Sequence, residues 1–208
     1  MIPLFVDCSD RRIVIFGGGG VAARKASYFS GKADVTVVSR SFSQKISSLK
    51  VSLRQMDVKS VPDDALVSLL EGAFLVIGAL SDPVQNNRIG RLCRERGILF
   101  NNADGKAGDV ILPSITGGDH YTIAISTQGN SPAVSRFIRQ HLECEFPALD
   151  AMILLQSRLR EELKSKEPDQ AKRNAILGDV LDDRTVWEAL RSDPGRAWEL
   201  VRGRYLHD

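Results

Sequence analysis

The sequence is short of cysteine, of aromatic side chains and of surplus charge, and each shortage removes a class of protein. Three cysteines stand in 208 residues, Cys8, Cys93 and Cys144, far apart and with no C-x-x-C pair. An odd, scattered set supplies neither a disulfide framework nor zinc-ligand spacing, and it points to a reducing, cytoplasmic setting. The formal net charge is only +2, so charge implies no nucleic-acid or membrane-surface partner. No apolar run approaches the ~18 residues that a membrane span needs. The start, Met1-Ile2-Pro3-Leu4-Phe5, lacks the basic leader and long apolar stretch of a signal peptide. His120 and His141 have no partner at metal-ligand spacing, so no metal site is expected. What is left is ordinary globular composition, 43% hydrophobic and 26% charged, on a chain long enough to bury a core unaided.

The first half alternates strand and helix patterns. Residues 12–16 and 34–38 are β-branched runs, 51–54 a weaker one, and 74–79 is apolar nearly throughout, as expected of a strand covered on both faces. Helical spacing fills 21–30 and 63–71. Asp82-Pro83 opens a third helix that Gly97 stops, and 98–100 is a fifth strand. This β-α-β order predicts a parallel sheet with right-handed crossovers. Beyond Asp104 the pattern changes. Runs 109–116 and 120–126 flank Gly117-Gly118-Asp119, a hairpin signal with glycines expected to supply positive φ. Ser131-Pro132 caps a helix to about residue 145, and the remainder reads as helices over 148–166, 170–177, 184–191 and 194–202. The fold class is therefore α/β: a Rossmann-like parallel-sheet domain over 1–113, a small hairpin-and-helix segment over 114–145, and a helical C-terminal domain over 146–208.

The strongest local signal is Gly17-Gly18-Gly19-Gly20-Val21-Ala22, a G-x-G-x-x-A spacing between a strand and a helix. Gly17 permits the tight turn, Gly19 lets the backbone approach a diphosphate, and Ala22 allows close helix–strand packing. The helix start then offers N–H groups and a positive dipole end to the phosphates. The acid that usually binds a ribose hydroxyl about twenty residues on is missing. Ser39, Arg40 and Ser41 occupy that place, so either one of them bonds the ribose or Arg40 meets a 2′-phosphate, which keeps NADP beside NAD.

Several segments occur in a telling order: the glycine turn with Arg24-Lys25-Ala26, then residues 76–83 with Asn86, Asn101-Asn102-Ala103-Asp104, Leu112-Pro113-Ser114, and 123–132 ending in Ser131-Pro132. Over residues 1–145 this order resembles the precorrin-2 dehydrogenase family, including the dehydrogenase/ferrochelatase module of siroheme synthase. The resemblance implies NAD-dependent oxidation of precorrin-2 to sirohydrochlorin, in some members followed by insertion of ferrous iron as a substrate. It also implies a homodimer built largely by the segment after the nucleotide domain. Nucleotide contacts carry over to Gly20 and Val21, to Arg40 and Ser41, and to Ala79, and the key carboxylate to Asp104.

Asp104 has a chemical rationale of its own. It follows the fifth strand, at the sheet edge where open α/β folds bind ligands. Dehydrogenation releases a hydride and a proton, and metal insertion releases pyrrolic protons, so one carboxylate suits both. The alternative is a turn-capping Asp before Gly105, and the resemblance selects the proton acceptor. A substrate with several carboxylates calls for cations and N–H groups. Lys106, Arg136 and Arg139 are candidate cations, and Thr127 and Ser131 lie in a loop leading to a helix N-terminus. A nucleotide-sensing regulatory module, the competing class, shares the glycine turn but not the hairpin or the Ser131-Pro132 loop.

Overall fold

The computed structural model describes residues 1–104 and 108–206. They fall into two compact units, Met1–Leu112 and Pro113–Asp208. The first is a five-stranded, all-parallel sheet in the order β3-β2-β1-β4-β5, with β1 Arg12–Phe16, β2 Asp34–Ser39, β3 Ser52–Gln55, β4 Ala73–Gly78 and β5 Leu99–Asn102. Side-chain alternation along β1 assigns each face its cover. Val14 and Phe16 join a cluster with Leu66, Leu69 and Leu70 of α3 (Asp63–Leu70) and Ile89 and Leu92 of α4 (Pro83–Arg94). Ile13 and Ile15 point the other way, into Ala22, Ala23, Ala26 and Phe29 of α1 (Gly20–Phe29). All four β1 side chains are fully buried, each such burial stabilising by about 1.5–3 kcal/mol. The strand order reverses between β1 and β4, which opens a crevice at their carboxyl ends.

Two short pieces escape sequence patterning: α2 (Gln44–Ser47) and a 3-10 turn over Val58–Ser60. Both are shorter than the window that reveals periodicity. The strand expected over 109–116 is also shorter, starting only at Ser114. Upstream, the N–H groups of Asp109 and Val110 both donate to Phe100 O, and Val110 and Leu112 pack on the α1 face of the sheet. Pro113 then has no N–H to offer a ladder.

In the second unit β6 (Ser114–Gly117) and β7 (Thr122–Ile125) pair antiparallel. The turn glycines do not take positive φ, contrary to the sequence expectation. Gly118 is needed for room: a Cβ there would stand 2.0 Å from Asp150 Oδ2. That carboxylate accepts from the N–H groups of His120 (2.9 Å) and Asp119 (2.8 Å), which hold its pKa below the usual carboxylate range. Helix α5 (Pro132–Glu145) follows, and α6 (Leu149–Lys166), α7 (Gln170–Asp182), α8 (Arg184–Ser192) and α9 (Pro194–Tyr205) share a core that includes Met152, Leu159, Val186 and Trp198. Helix α7 runs past the expected end at Leu177, through Gly178 to Asp182. Among the described residues no helix is long and apolar enough to cross a membrane.

Candidate functional site

At the carboxyl ends of β1 and β4 lies a cavity of ≈ 690 Å³. Gly17, Gly18, Gly19, Gly20, Val21, Arg40, Ser41, Ala79 and Asp104 all line it. The four glycines differ in what demands them. Gly17 has φ +130°, and a Cβ there would meet Ala79 O at 2.4 Å. Gly18 is clamped from outside: a Cβ would meet Ser41 O at 1.7 Å, and Gly18 O accepts from Ser43 N–H at 2.9 Å. Gly19 and Gly20 have nothing within 4 Å of a built Cβ. That free space, with no capping side chain and no acid in the first turn of α1, leaves the helix start open to an anion. The fit to a dinucleotide diphosphate is therefore steric as well as electrostatic.

The opposite wall carries paired charges. Arg40 Nη1 lies 3.8 Å from Asp57 Oδ2, and Lys59 Nζ lies 2.7 Å from Asp82 Oδ2. The Lys59 hydrogen bond holds the Asp82 carboxyl below its ordinary pKa. Asp82 also accepts from Val84 N–H at 2.9 Å, capping α4. Ser43 also lines the cavity, and its Oγ is buried without a hydrogen-bond partner among the described residues. An unsatisfied hydroxyl there suits a polar group of a bound ligand, such as a ribose hydroxyl.

Asp104 follows β5, exposed at the cavity lip. Its N–H donates to Asn102 Oδ1 at 3.1 Å, and its Oδ2 accepts from Asn86 Nδ2 at 3.0 Å. Asn86, in the first half of α4, is fully buried and also bonds both backbone groups of Leu80. Sequence reasoning placed Asn86 in a motif without giving it work. The available signal was a polar side chain on the apolar face of α4, beside Ile89 and Gly90. Lys25 was missed likewise: half-buried, it donates to Asn101 Oδ1 at 2.7 Å, and burial followed by the Arg24 charge pushes its pKa down.

The substrate-side candidates belong to the second unit, except Lys106, which lies outside the described residues. Thr127 Oγ1 donates to Ser131 O (2.9 Å) and accepts from Ser131 N–H (3.1 Å), closing the loop through Gln128 (φ 54°) and Gly129 (φ 85°). Ser131 Oγ accepts from Val134 N–H at 3.3 Å at the head of α5. Arg139 is bonded to Glu143 at 2.6 Å one turn on, while Arg136 is exposed. Among the described residues no three His, Cys, Asp or Glu side chains gather as metal ligands.

Comparison with known proteins gives four findings. The family described as "Putative NAD(P)-binding" matches residues 4–114. A precorrin-2 dehydrogenase of Methanosarcina barkeri is 42% identical over 203 residues, covering 95% of this chain and 90% of that protein. A siroheme synthase of Actinobacillus succinogenes is 29% identical over 205 residues, and the chain spans 40% of its length. Among solved structures, one titled SirC, precorrin-2 dehydrogenase, superposes with a TM-score of 0.70 over 98% of this chain and 100% of that one, a likeness of fold at 18% identity.

Proposed function

We propose that this chain, which belongs to the precorrin-2 dehydrogenase family, oxidises precorrin-2 to sirohydrochlorin with a nicotinamide dinucleotide. The observation that carries the reading is the meeting of the glycine turn and Asp104 on one cavity. When bound, the cofactor supplies hydride-accepting chemistry. The chain's part is to seat it and to manage the proton. The N–H groups at the start of α1 hold the diphosphate, with Gly19 and Gly20 leaving room for it. Asp104, fixed by Asn86, takes up the proton that leaves with the hydride.

We take NAD to be the preferred cofactor. The charged residues lining the cavity are Arg40, Lys59, Asp57, Asp82 and Asp104, and both cations are already paired with carboxylates. Among the described residues lining the cavity, no cation is left unpaired for an additional 2′-phosphate. A second reading, insertion of ferrous iron into the product, is favoured by identity to siroheme synthase across 97% of this chain. Asp104 is then the acceptor for pyrrolic protons as well.

We also propose a homodimer, working in the cytoplasm. Helix α5 buries only Ser135, while Val134, Phe137 and Ile138 are 47%, 69% and 38% exposed. Positions i, i+3 and i+4 form one apolar helix face, and a second copy of the chain is the proposed cover. The free Cys8, Cys93 and Cys144 suit a reducing compartment.

The test is anaerobic incubation of the protein with precorrin-2 and NAD, followed by absorbance. Sirohydrochlorin and NADH rising together in equal amounts is the expected result, and no NAD-dependent product refutes the reading. Ferrous iron added afterwards measures chelation against the spontaneous rate.

A further inference from the structure

We propose that Asn86 is a positioning residue for Asp104, its side-chain amide fixing one carboxylate oxygen and tying it to the cavity loop after β4. The inference deepens the reading of Asp104 as proton acceptor and rests on it. Asn86 is fully buried in α4. Its Oδ1 accepts from Leu80 N–H at 3.1 Å, and its Nδ2 donates to Leu80 O at 3.0 Å and to Asp104 Oδ2 at 3.0 Å.

This network leaves the amide one orientation. The Leu80 N–H can only donate, so the oxygen must face it. Both Nδ2 hydrogens are then committed, one to a backbone carbonyl and one to the carboxylate. Leu80 and Ala79 line the same cavity as the glycine turn, so one buried side chain couples the cofactor wall to Asp104. The bond is charge-assisted when the carboxylate is ionised, the form that accepts a proton. Oδ1 of Asp104 has no partner among the described residues and is the oxygen left for chemistry.

Few residues can replace Asn86. An ionised Asp at this position has no hydrogen to donate and sets a second negative charge against Asp104. Among the described residues the other charged groups on the cavity wall, Arg40 with Asp57 and Lys59 with Asp82, are engaged in pairs of their own. From β5, the side-chain contact to Asp104 is the neutral Asn102.

The experiment is a pH–rate profile of precorrin-2 oxidation for the wild type, Asn86→Asp, Asn86→Ser and Asp104→Asn, with circular dichroism to check folding and fluorescence titration for NAD. Asn86→Asp makes a pair of neighbouring carboxyls that share a proton. The acid limb of its kcat/KM profile moves to higher pH by at least about one unit. Asn86→Ser introduces no charge, so its profile stays in place while kcat falls by about 10- to 100-fold from misplacement of the carboxylate. A folded Asn86→Asp with the wild-type profile overturns the proposal. If Asn86→Asp does not fold, a wild-type kcat for Asn86→Ser overturns it instead. Asp104→Asn separates the two claims. Normal turnover there removes the proton acceptor itself, whereas an inactive Asp104→Asn beside an unmoved Asn86→Asp profile removes only the role of Asn86.

Discussion

The carboxylate of Asp57 faces two ways. Its Oδ1 accepts from Lys59 N–H at 3.0 Å, capping the 3-10 turn, and its Oδ2 lies 3.8 Å from Arg40. The pair is solvent-exposed, with side chains 73% and 37% accessible, so its own stabilising energy is small. It bears on ligand choice instead, because it sets a negative charge beside the cation that a 2′-phosphate would need. Asp57→Ala is expected to improve NADP binding relative to NAD by roughly two- to fivefold, read by fluorescence titration of both cofactors. An unchanged ratio removes Asp57 from the discrimination. Arg40 shows a limit of sequence reading at this scale. The absent ribose acid was visible in the sequence, but the partner that neutralises Arg40 stands seventeen positions further on, and only folding brings it across from the turn after β3.

At the scale of elements, glycines in two different elements separate stability from binding. Gly90 of α4 stacks on Phe100 of β5, where a Cβ would fall 2.7 Å from the ring. Gly90→Ala is therefore expected to destabilise the first unit by about 1–3 kcal/mol through overpacking, with cofactor affinity little altered. Gly19→Ala should do the reverse. Its φ of −89° suits any residue and its Cβ meets no protein atom, so the unfolding free energy holds while NAD affinity drops by about tenfold. Chemical denaturation and titration of the two variants check the crossed pattern. The strand–turn–helix unit was legible in sequence because β-branched runs, glycine spacing and small helix residues all state one geometry locally. Gly18 and Gly118 were legible only as glycines. What requires them is a distant backbone oxygen in one case and the Asp150 carboxylate in the other, and no local pattern carries that. Asn86 was hidden for the same reason, since its partners are Leu80 and Asp104 on separate loops.

At the scale of the whole molecule, the second unit has its own electrostatic clasp. Asp183 accepts from Thr185 Oγ1 (2.7 Å) and N–H (2.9 Å), from Arg204 (2.7 Å) and from Tyr205 Oη (3.1 Å), tying the start of α8 to the end of α9. The Thr185 hydroxyl bond leads in holding its pKa down at about 2. A carboxyl depressed in the folded state contributes stability above its unfolded pKa, near 3.8, and loses it as pH falls toward 2. Asp183→Ala is expected to lower the unfolding free energy at neutral pH by about 1–3 kcal/mol. It should also flatten the acid dependence between pH ~4 and ~2. Denaturant titrations across that range give both numbers. A parallel sheet and a helical C-terminal half followed from sequence periodicity, whereas this clasp joins residues about twenty apart whose pairing depends on how two helices cross.

The proposed reaction needs a cofactor seated at the glycine turn and a proton taken up by Asp104, and Asp104→Asn tests both halves at once. Measured with precorrin-2 and NAD, turnover is expected to fall by about 10²–10⁴-fold, while NAD binds as tightly as to the wild type. Wild-type turnover by Asp104→Asn, or loss of NAD binding together with activity, contradicts it.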